Sequence, residues 1–273
     1  MQQTLPIQRA SEQARIARAP RLPALRLHWA GLPLAIMGLL VLWQLVVSVG
    51  GYRPFILPGP ALVAERFVAA AQSGILWQHT AATLVEALGG FALALVLGLS
   101  LGYGLAHLPW LERALAPILA ASQAIPVVAV APLLILWFGP GLTGKLLIAA
   151  LITFLPILLS TIVALRAIPR ELREMALISG ASRWQMLRYV EAPLSVPVLF
   201  GGVRTGLALA TTGAVVGEFV AGREGLGALI NIARGLFDTP LIFVALLTLA
   251  AITLGLYLAA TLIERALVRW ELG

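Results

Sequence analysis

Six apolar runs, each long enough to cross a bilayer, constrain this chain more than any other feature. A membrane-spanning helix needs roughly 20 apolar residues, and the candidate runs lie at about 30–50, 82–106, 114–137, 143–165, 196–218 and 241–263. In hydrocarbon the backbone amides have no water to bond to, so runs of this length close their hydrogen bonds as helices. Of the 273 residues, 60% are hydrophobic and only 11% are charged. A soluble domain carries about a quarter charged residues, so a soluble fold is excluded. The expectation is an all-α, polytopic membrane protein of about six transmembrane helices. The third run is the least regular, because Pro117, Pro126 and Pro132 interrupt it. Proline removes a backbone donor and kinks a helix, which predicts a bent helix, either beside a cavity or merely packed.

Charge sets the orientation. The formal net charge is +7, which in a membrane protein reflects basic cytoplasmic loops rather than nucleic-acid binding. No basic stripe with interleaved aromatics appears, so nucleic acid is not an expected partner. Residues 1–28 hold Arg9, Arg15, Arg18, Arg21 and Arg26 among Pro6, Pro20 and Pro23. They read as a basic cytoplasmic tail preceding a transmembrane domain over 29–273. The apolar run after the tail is too long for a signal-peptide core and is expected to remain as the first span. Placing the tail inside puts Arg113, Arg166, Arg170, Arg173, Arg183, Arg188, Arg265 and Arg269 inside as well. The outer loops then hold Arg53, Arg66, Lys145, Arg223 and Arg234. That bias predicts both termini in the cytoplasm and an even number of spans. The segment 51–81 is expected outside, with a helical run from about 61 to 73 along the membrane surface.

Between the fourth and fifth runs lies a polar island over about 169–193. Pro169 suits a first helical turn, and Glu171 and Glu174 favour the positive end of the helix that follows. Ser179-Gly180 ends that helix, and Ser182-Arg-Trp-Gln185 reads as a capping box opening a second helix through Glu191. Pro193 and Pro197 mark entry into the next span. Small residues Ala176, Gly180 and Ala181 permit close approach to a groove, while Glu174 and the neighbouring arginines supply charge selection. On these physical grounds alone, an ordinary capped loop fits as well as a docking element.

The residues carry a resemblance that separates the two. Glu174-Met-Ala-Leu-Ile-Ser-Gly-Ala181 is followed by eight residues and then Val190-Glu-Ala-Pro193. This resembles the cytoplasmic loop of ABC importer permeases, whose pattern is E-A-A-x-x-x-G, nine residues, then I-x-L-P. Glu174, Ala176, Gly180 and Pro193 match it, and Met175, Val190 and Ala192 depart. Leu57-Pro-Gly-Pro60, Gln123-Ala-Ile-Pro126, Ala131-Pro132 and Trp137-Phe138-Gly139 extend the resemblance to the nitrate/sulfonate/taurine branch of binding-protein-dependent type I importers. The resemblance implies an ATPase-coupling loop containing Glu174, Ala176, Ser179, Gly180, Ala181, Ser182 and Pro193. It implies a homodimer of this subunit in the bacterial inner membrane, two ATPase subunits that bind ATP and Mg, and a periplasmic or lipid-anchored binding protein. Alternating access would move a small solute such as a sulfonate, taurine or nitrate; the branch also handles some vitamin precursors.

No catalytic or metal site is expected: the chain has no cysteine, and His28, His79 and His107 stand singly. Gly139-Pro-Gly-Leu-Thr-Gly-Lys145 mimics a phosphate-binding loop, but Leu146 stands where a magnesium-binding Ser or Thr is needed. It reads as a turn with Lys145 anchored at the interface, so ATP hydrolysis falls to a partner and this chain binds no cofactor. Charges inside a bilayer are costly and often functional, which makes Glu218 and Arg204 candidates for a pathway or an interface. Glu218 fits the outer mouth of a path or a surface, and Arg204 reaches the inner interface by snorkelling. Glu86 carries no assigned role. Gly98-x-x-x-Gly102 and Gly213-x-x-x-Gly217 allow close helix contact, within one subunit or across a dimer. A secondary transporter would need mid-membrane carboxylates on broken helices in matched halves, which are not evident.

Overall fold

The computed structural model describes residues 28–268, and among them every regular element is helical. The tail expected over 1–28 lies outside the described residues except for its last residue, as do residues 269–273. In chain order the helices are α1 (His28–Gly50), α2 (Pro60–Gln72), α3 (Ile75–His107), α4 (Pro109–Ala124), α5 (Val127–Phe138) and α6 (Leu142–Arg166). They continue with α7 (Arg170–Ile178), α8 (Arg183–Met186), a π-helical turn (Leu187–Glu191), α9 (Ala192–Ala221), α10 (Leu226–Gly235) and α11 (Thr239–Leu267). Five helical stretches are long and apolar enough to cross a membrane, and α4–α5 makes a sixth if the bent pair is one span.

Glycine sets the packing at the centre. A Cβ built on Gly98 would stand 2.7 Å from Ile157, and one on Gly102 would stand 2.7 Å from Thr161. On the other side of α6, Gly213 lies 2.6 Å from the Ala149 Cα and Gly217 lies 3.2 Å from the Lys145 Cα by the same measure. Without side chains at these positions the backbones of α3 and α9 close onto α6, which maximises dispersion contact where lipid removes any hydrophobic drive. Both glycine pairs are therefore consumed inside the subunit.

The same contacts give helix direction. Residue numbers rise together along α3 and α6, so these two helices are parallel; they run oppositely along α6 and α9. Two parallel spans need a return crossing between them. Residues 109–138 supply it, and α4–α5 is one traverse bent by 93°. The bend falls where Ile125 is extended ahead of Pro126, as the ring clash with a preceding helical residue requires. Pro117 and Pro132 sit inside α4 and α5 without breaking them.

The second span starts earlier than the sequence suggests, at Ile75. Its 33 residues correspond to about 50 Å of helix, longer than a hydrocarbon core of about 30 Å. The surplus reaches a small apolar core at one end, where Leu76 packs with Val63 of α2, Leu226 and Leu229 of α10, and Val244 of α11. α1 joins this end through Trp43, which stacks on Phe243 at 5.3 Å and donates to the Pro58 carbonyl at 3.0 Å. At the other end lie α7–α8, the last turn of α3 and the last turns of α11, the latter tied to α9 by Arg204–Glu264 at 3.1 Å.

The second island helix, expected to stop at Glu191, runs on without a break, and α8, the π turn and α9 form one stretch from Arg183 to Ala221. Pro193 explains the π turn. A proline in an α-helix lacks a donor and presses on the carbonyl four residues back. Widening the helix so that Ala192 N–H reaches Leu187 O, five residues back, relieves that crowding.

Candidate functional site

The island projects from the end of the bundle that holds the α3 C-terminus. α7 closes in a complete Schellman motif: Ala181 N–H donates to Ala176 O at 3.0 Å, and Gly180 N–H donates to Leu177 O at 3.0 Å. Gly180 has φ +78°, a left-handed conformation that costs other residues energy. The Ser179 hydroxyl donates to Met175 O at 2.9 Å. Ser182 then caps α8, accepting from Gln185 N–H at 3.3 Å while its own N–H donates to the Gln185 side chain at 2.8 Å. The expected capping box is present in full. Glu174 is exposed and pairs with Arg170 one turn back at 2.6 Å, an exposed geometry that adds little stability.

Sequence reasoning stressed small and charged residues here and missed the larger feature. Met175, Leu177, Ile178 and Trp184 are all exposed on the α7–α8 corner, with Ile178 at 87%. An apolar patch on a helix pair outside the spans marks an interaction surface. Its signal was the run Met175-Ala-Leu-Ile178 in an otherwise charged helix.

Glu191 sits beneath this corner, 1% exposed, in the π turn. Its Oε1 lies 3.0 Å from His107 Nε2 and 3.5 Å from a terminal Arg173 nitrogen. Arg173 also donates to the Leu165 carbonyl at 2.6 Å, at the end of α6. His107 Nδ1 is 2.9 Å from the Tyr103 carbonyl, which can only accept. Both ring nitrogens therefore face oxygens, Nδ1 the Tyr103 carbonyl and Nε2 the Glu191 carboxylate. In the sequence His107 is one of three histidines that stand singly, and Glu191 closes the expected second island helix.

A second buried polar cluster closes the opposite end. Lys145 donates to Glu86 Oε1 at 2.5 Å, the two side chains 8% and 4% exposed. Lys145 is thus a buried helix–helix partner in the first turn of α6, not an interfacial anchor in a turn. Glu218 accepts from the Thr83 hydroxyl at 2.7 Å and from Gly227 N–H at 2.5 Å, at the start of α10. Leu226 N–H donates to the Thr83 hydroxyl at 2.8 Å. Gly225, with φ +111°, leaves no room for a Cβ, which would meet the Glu218 carboxyl carbon at 2.1 Å. Glu218 is fully buried and ties α9 to α3 and α10, facing neither lipid nor open solvent. A cavity of about 850 Å³ adjoins the cluster, lined by Glu86, Lys145, Gln78, Arg223 and Glu224.

The other expected residues fall as follows. Arg204 is held within the bundle by Glu264 and lies over the Tyr257 ring at 5.8 Å. Thr205 and Thr212 bond back to their own helix, whereas Thr211 also meets Thr253 of α11 at 2.9 Å. Pro193 is half-buried in the first turn of α9. No group of three metal-ligating side chains occurs among the described residues.

With this geometry in hand, the relatives are informative. Residues 94–271 match the family described as "Binding-protein-dependent transport system inner membrane component". The riboflavin transport system permease protein RibX of Chloroflexus aurantiacus is 72% identical over 99% of both chains. The putative aliphatic sulfonates transport permease protein SsuC of Escherichia coli is 36% identical over 86% of this chain and 89% of its own. Among solved structures, the inward-facing MetNI methionine ABC transporter superposes with a TM-score of 0.60 at 22% identity, covering 68% of this chain and 93% of that one. That likeness supports the fold. The chain belongs to the family of binding-protein-dependent transport system inner membrane components: it is a multi-pass ABC importer permease, with ATP hydrolysis left to a separate subunit.

Proposed function

We propose that this permease carries riboflavin or a closely related flavin, delivered by an extracytoplasmic binding protein and driven by two copies of an ATPase subunit. The observation that carries the reading is 72% identity, end to end, with a permease named for riboflavin transport, against 36% with a sulfonate permease. The charge arrangement supports a neutral heterocycle over a sulfonate or nitrate anion. Lys145 and Arg204, two cations within the spans, are each paired with a carboxylate, so neither is left free to hold an anion. Small anions such as sulfonates, taurine or nitrate are the second reading, supported by the sulfonate relative.

The working unit is a homodimer in lipid, placed in the bacterial inner membrane with both termini and the α7–α8 corner in the cytoplasm. The arginine bias supports this sidedness. The loop over 169–193 docks on the ATPase. Met175, Leu177, Ile178 and Trp184 enter its groove, Glu174 and Arg170 select orientation, and Gly180, Ala181 and Ser182 hold the two short helices rigid. Closure of the ATPase pair pushes α7–α8, and α9 carries the push because it is continuous with α8. Glu218 fastens α10 over the outer end, and Arg204 pairs helices rather than lining a path. ATP and Mg bind the partner, and this chain holds no cofactor.

The test is ATP-dependent uptake by proteoliposomes containing the permease, its ATPase and its binding protein. Saturable riboflavin uptake, with taurine and nitrate inert, is the expected result. Uptake of taurine or an alkanesulfonate without riboflavin replaces the cargo by the second reading.

A further inference from the structure

We propose that Glu191 is the positioning residue through which movement of the α7–α8 corner reaches the membrane bundle, resting on the reading of that corner as the ATPase-docking element. Three helices meet at its carboxylate, and a fourth is joined through Arg173. Glu191 belongs to the stretch that becomes α9, His107 ends α3, Arg173 belongs to α7, and Arg173 fastens in turn to the Leu165 carbonyl at the end of α6. α3, α6 and α9 are the three helices packed together at the centre of the bundle. Removing this one side chain leaves α7 with its Arg173 tie to α6 but without its charged ties to α3 and α9.

The local chemistry suits a transmitting joint. A carboxylate that is 1% exposed holds its neighbours in place, because water competes little for its oxygens and charge-assisted bonds are directional. Its Oε2 and the Arg173 Nε are buried without partners. Unused bonding capacity of this kind lets the same groups re-pair when α7 shifts, exchanging Oε1 for Oε2 without an intermediate that is fully unpaired. The adjoining cleft of about 500 Å³, lined by Tyr103, Leu177 and Met186 among others, gives the corner room to move. The π turn that carries Glu191 is the one place where the Arg183–Ala221 stretch departs from α geometry, and so where a bend is easiest.

The experiment uses the whole importer in proteoliposomes, with three readouts: ATPase recovery with the tagged permease, ATPase stimulation by loaded binding protein, and uptake. Glu191→Gln keeps the volume and one acceptor while removing the charge. The expected result is full ATPase recovery with stimulated uptake lowered about tenfold, a coupling loss of ordinary allosteric size. Glu191→Asp, which restores charge on a shorter arm, recovers part of the uptake. If Glu191→Gln is not monodisperse on size exclusion, His107→Gln takes its place and is expected to show the same split to a smaller extent. Uptake and stimulation at wild-type levels in these variants overturn the assignment. Loss of the ATPase subunit from Glu191→Gln also overturns it, since the residue would then serve docking. A wild-type permease that recovers no ATPase subunit contradicts the docking reading instead.

Discussion

Lys145→Met is the substitution whose consequence the structure states most sharply. It keeps a straight apolar side chain in the first turn of α6 and deletes the cation paired with Glu86, with Glu218 buried nearby. The pair is nearly sealed from solvent, at 8% and 4% side-chain exposure, so its loss is not softened by water as a surface pair's would be. Removing one partner of a buried pair costs about 3–5 kcal/mol, because the Glu86 carboxyl group loses its partner in a low-dielectric site. At about 2–4 °C per kcal/mol for a chain of this size, the melting temperature falls by roughly 10 °C. The double variant Glu86→Gln, Lys145→Met removes the stranded carboxyl group, and replacing a buried pair by neutral groups of similar volume is often close to neutral. Thermal melts of detergent-purified protein, followed by the monodisperse size-exclusion peak, read both. A single variant within about 2 °C of wild type, or a double variant no better than the single, refutes the view that this pair is a buried, mutually dependent contact.

Other substitutions separate packing from coupling. Gly213→Ala places a Cβ 2.6 Å from the Ala149 Cα, a backbone atom, and should destabilise by about 1–3 kcal/mol, whereas Gly201→Ala meets nothing within 4 Å and should leave the melt unchanged. Glu174→Lys loses only an exposed ion pair, so insertion and melting should match wild type while ATPase-coupled uptake is abolished. Gly180→Asp should also insert normally and lose coupling, because φ +78° strains the new residue and opens the α7–α8 corner; wild-type uptake from either variant removes the docking role from this loop.

Much of the architecture is written in local pattern, and local pattern is what a sequence displays. The apolar runs located the spans, and the Ser179-Gly180 and Ser182–Gln185 signals located a helix pair whose caps form as expected. Gly98, Gly102, Gly213 and Gly217 announced close packing but not their shared partner, since α6 offers no motif of its own. The errors share one cause. Lys145 pairs with a residue 59 positions away and His107 with one 84 away, and neither separation leaves any periodicity to read. Lys145 follows a glycine-rich stretch, so its neighbours suggested a surface turn when helix packing had buried it. The π turn was hidden for a different reason: Pro193 signalled the start of a span, and only tertiary packing shows that the helix widens around it instead of stopping. Glu218 was visible as a charge in an apolar run, yet its partners come from two other helices, Thr83 of α3 and Gly227 of α10.

The central claim, that the α7–α8 corner docks on the ATPase, is open to direct test because the sequence contains no cysteine. A benzophenone-maleimide label on Ile178→Cys, which is 87% exposed at the corner, is photolysed in membranes containing the assembled importer, with Leu236→Cys, 70% exposed at the opposite end, as the comparison. The account predicts an adduct between permease and ATPase subunit from position 178 and none from 236. An adduct from 236, or none from 178 in an importer that still transports, would contradict it.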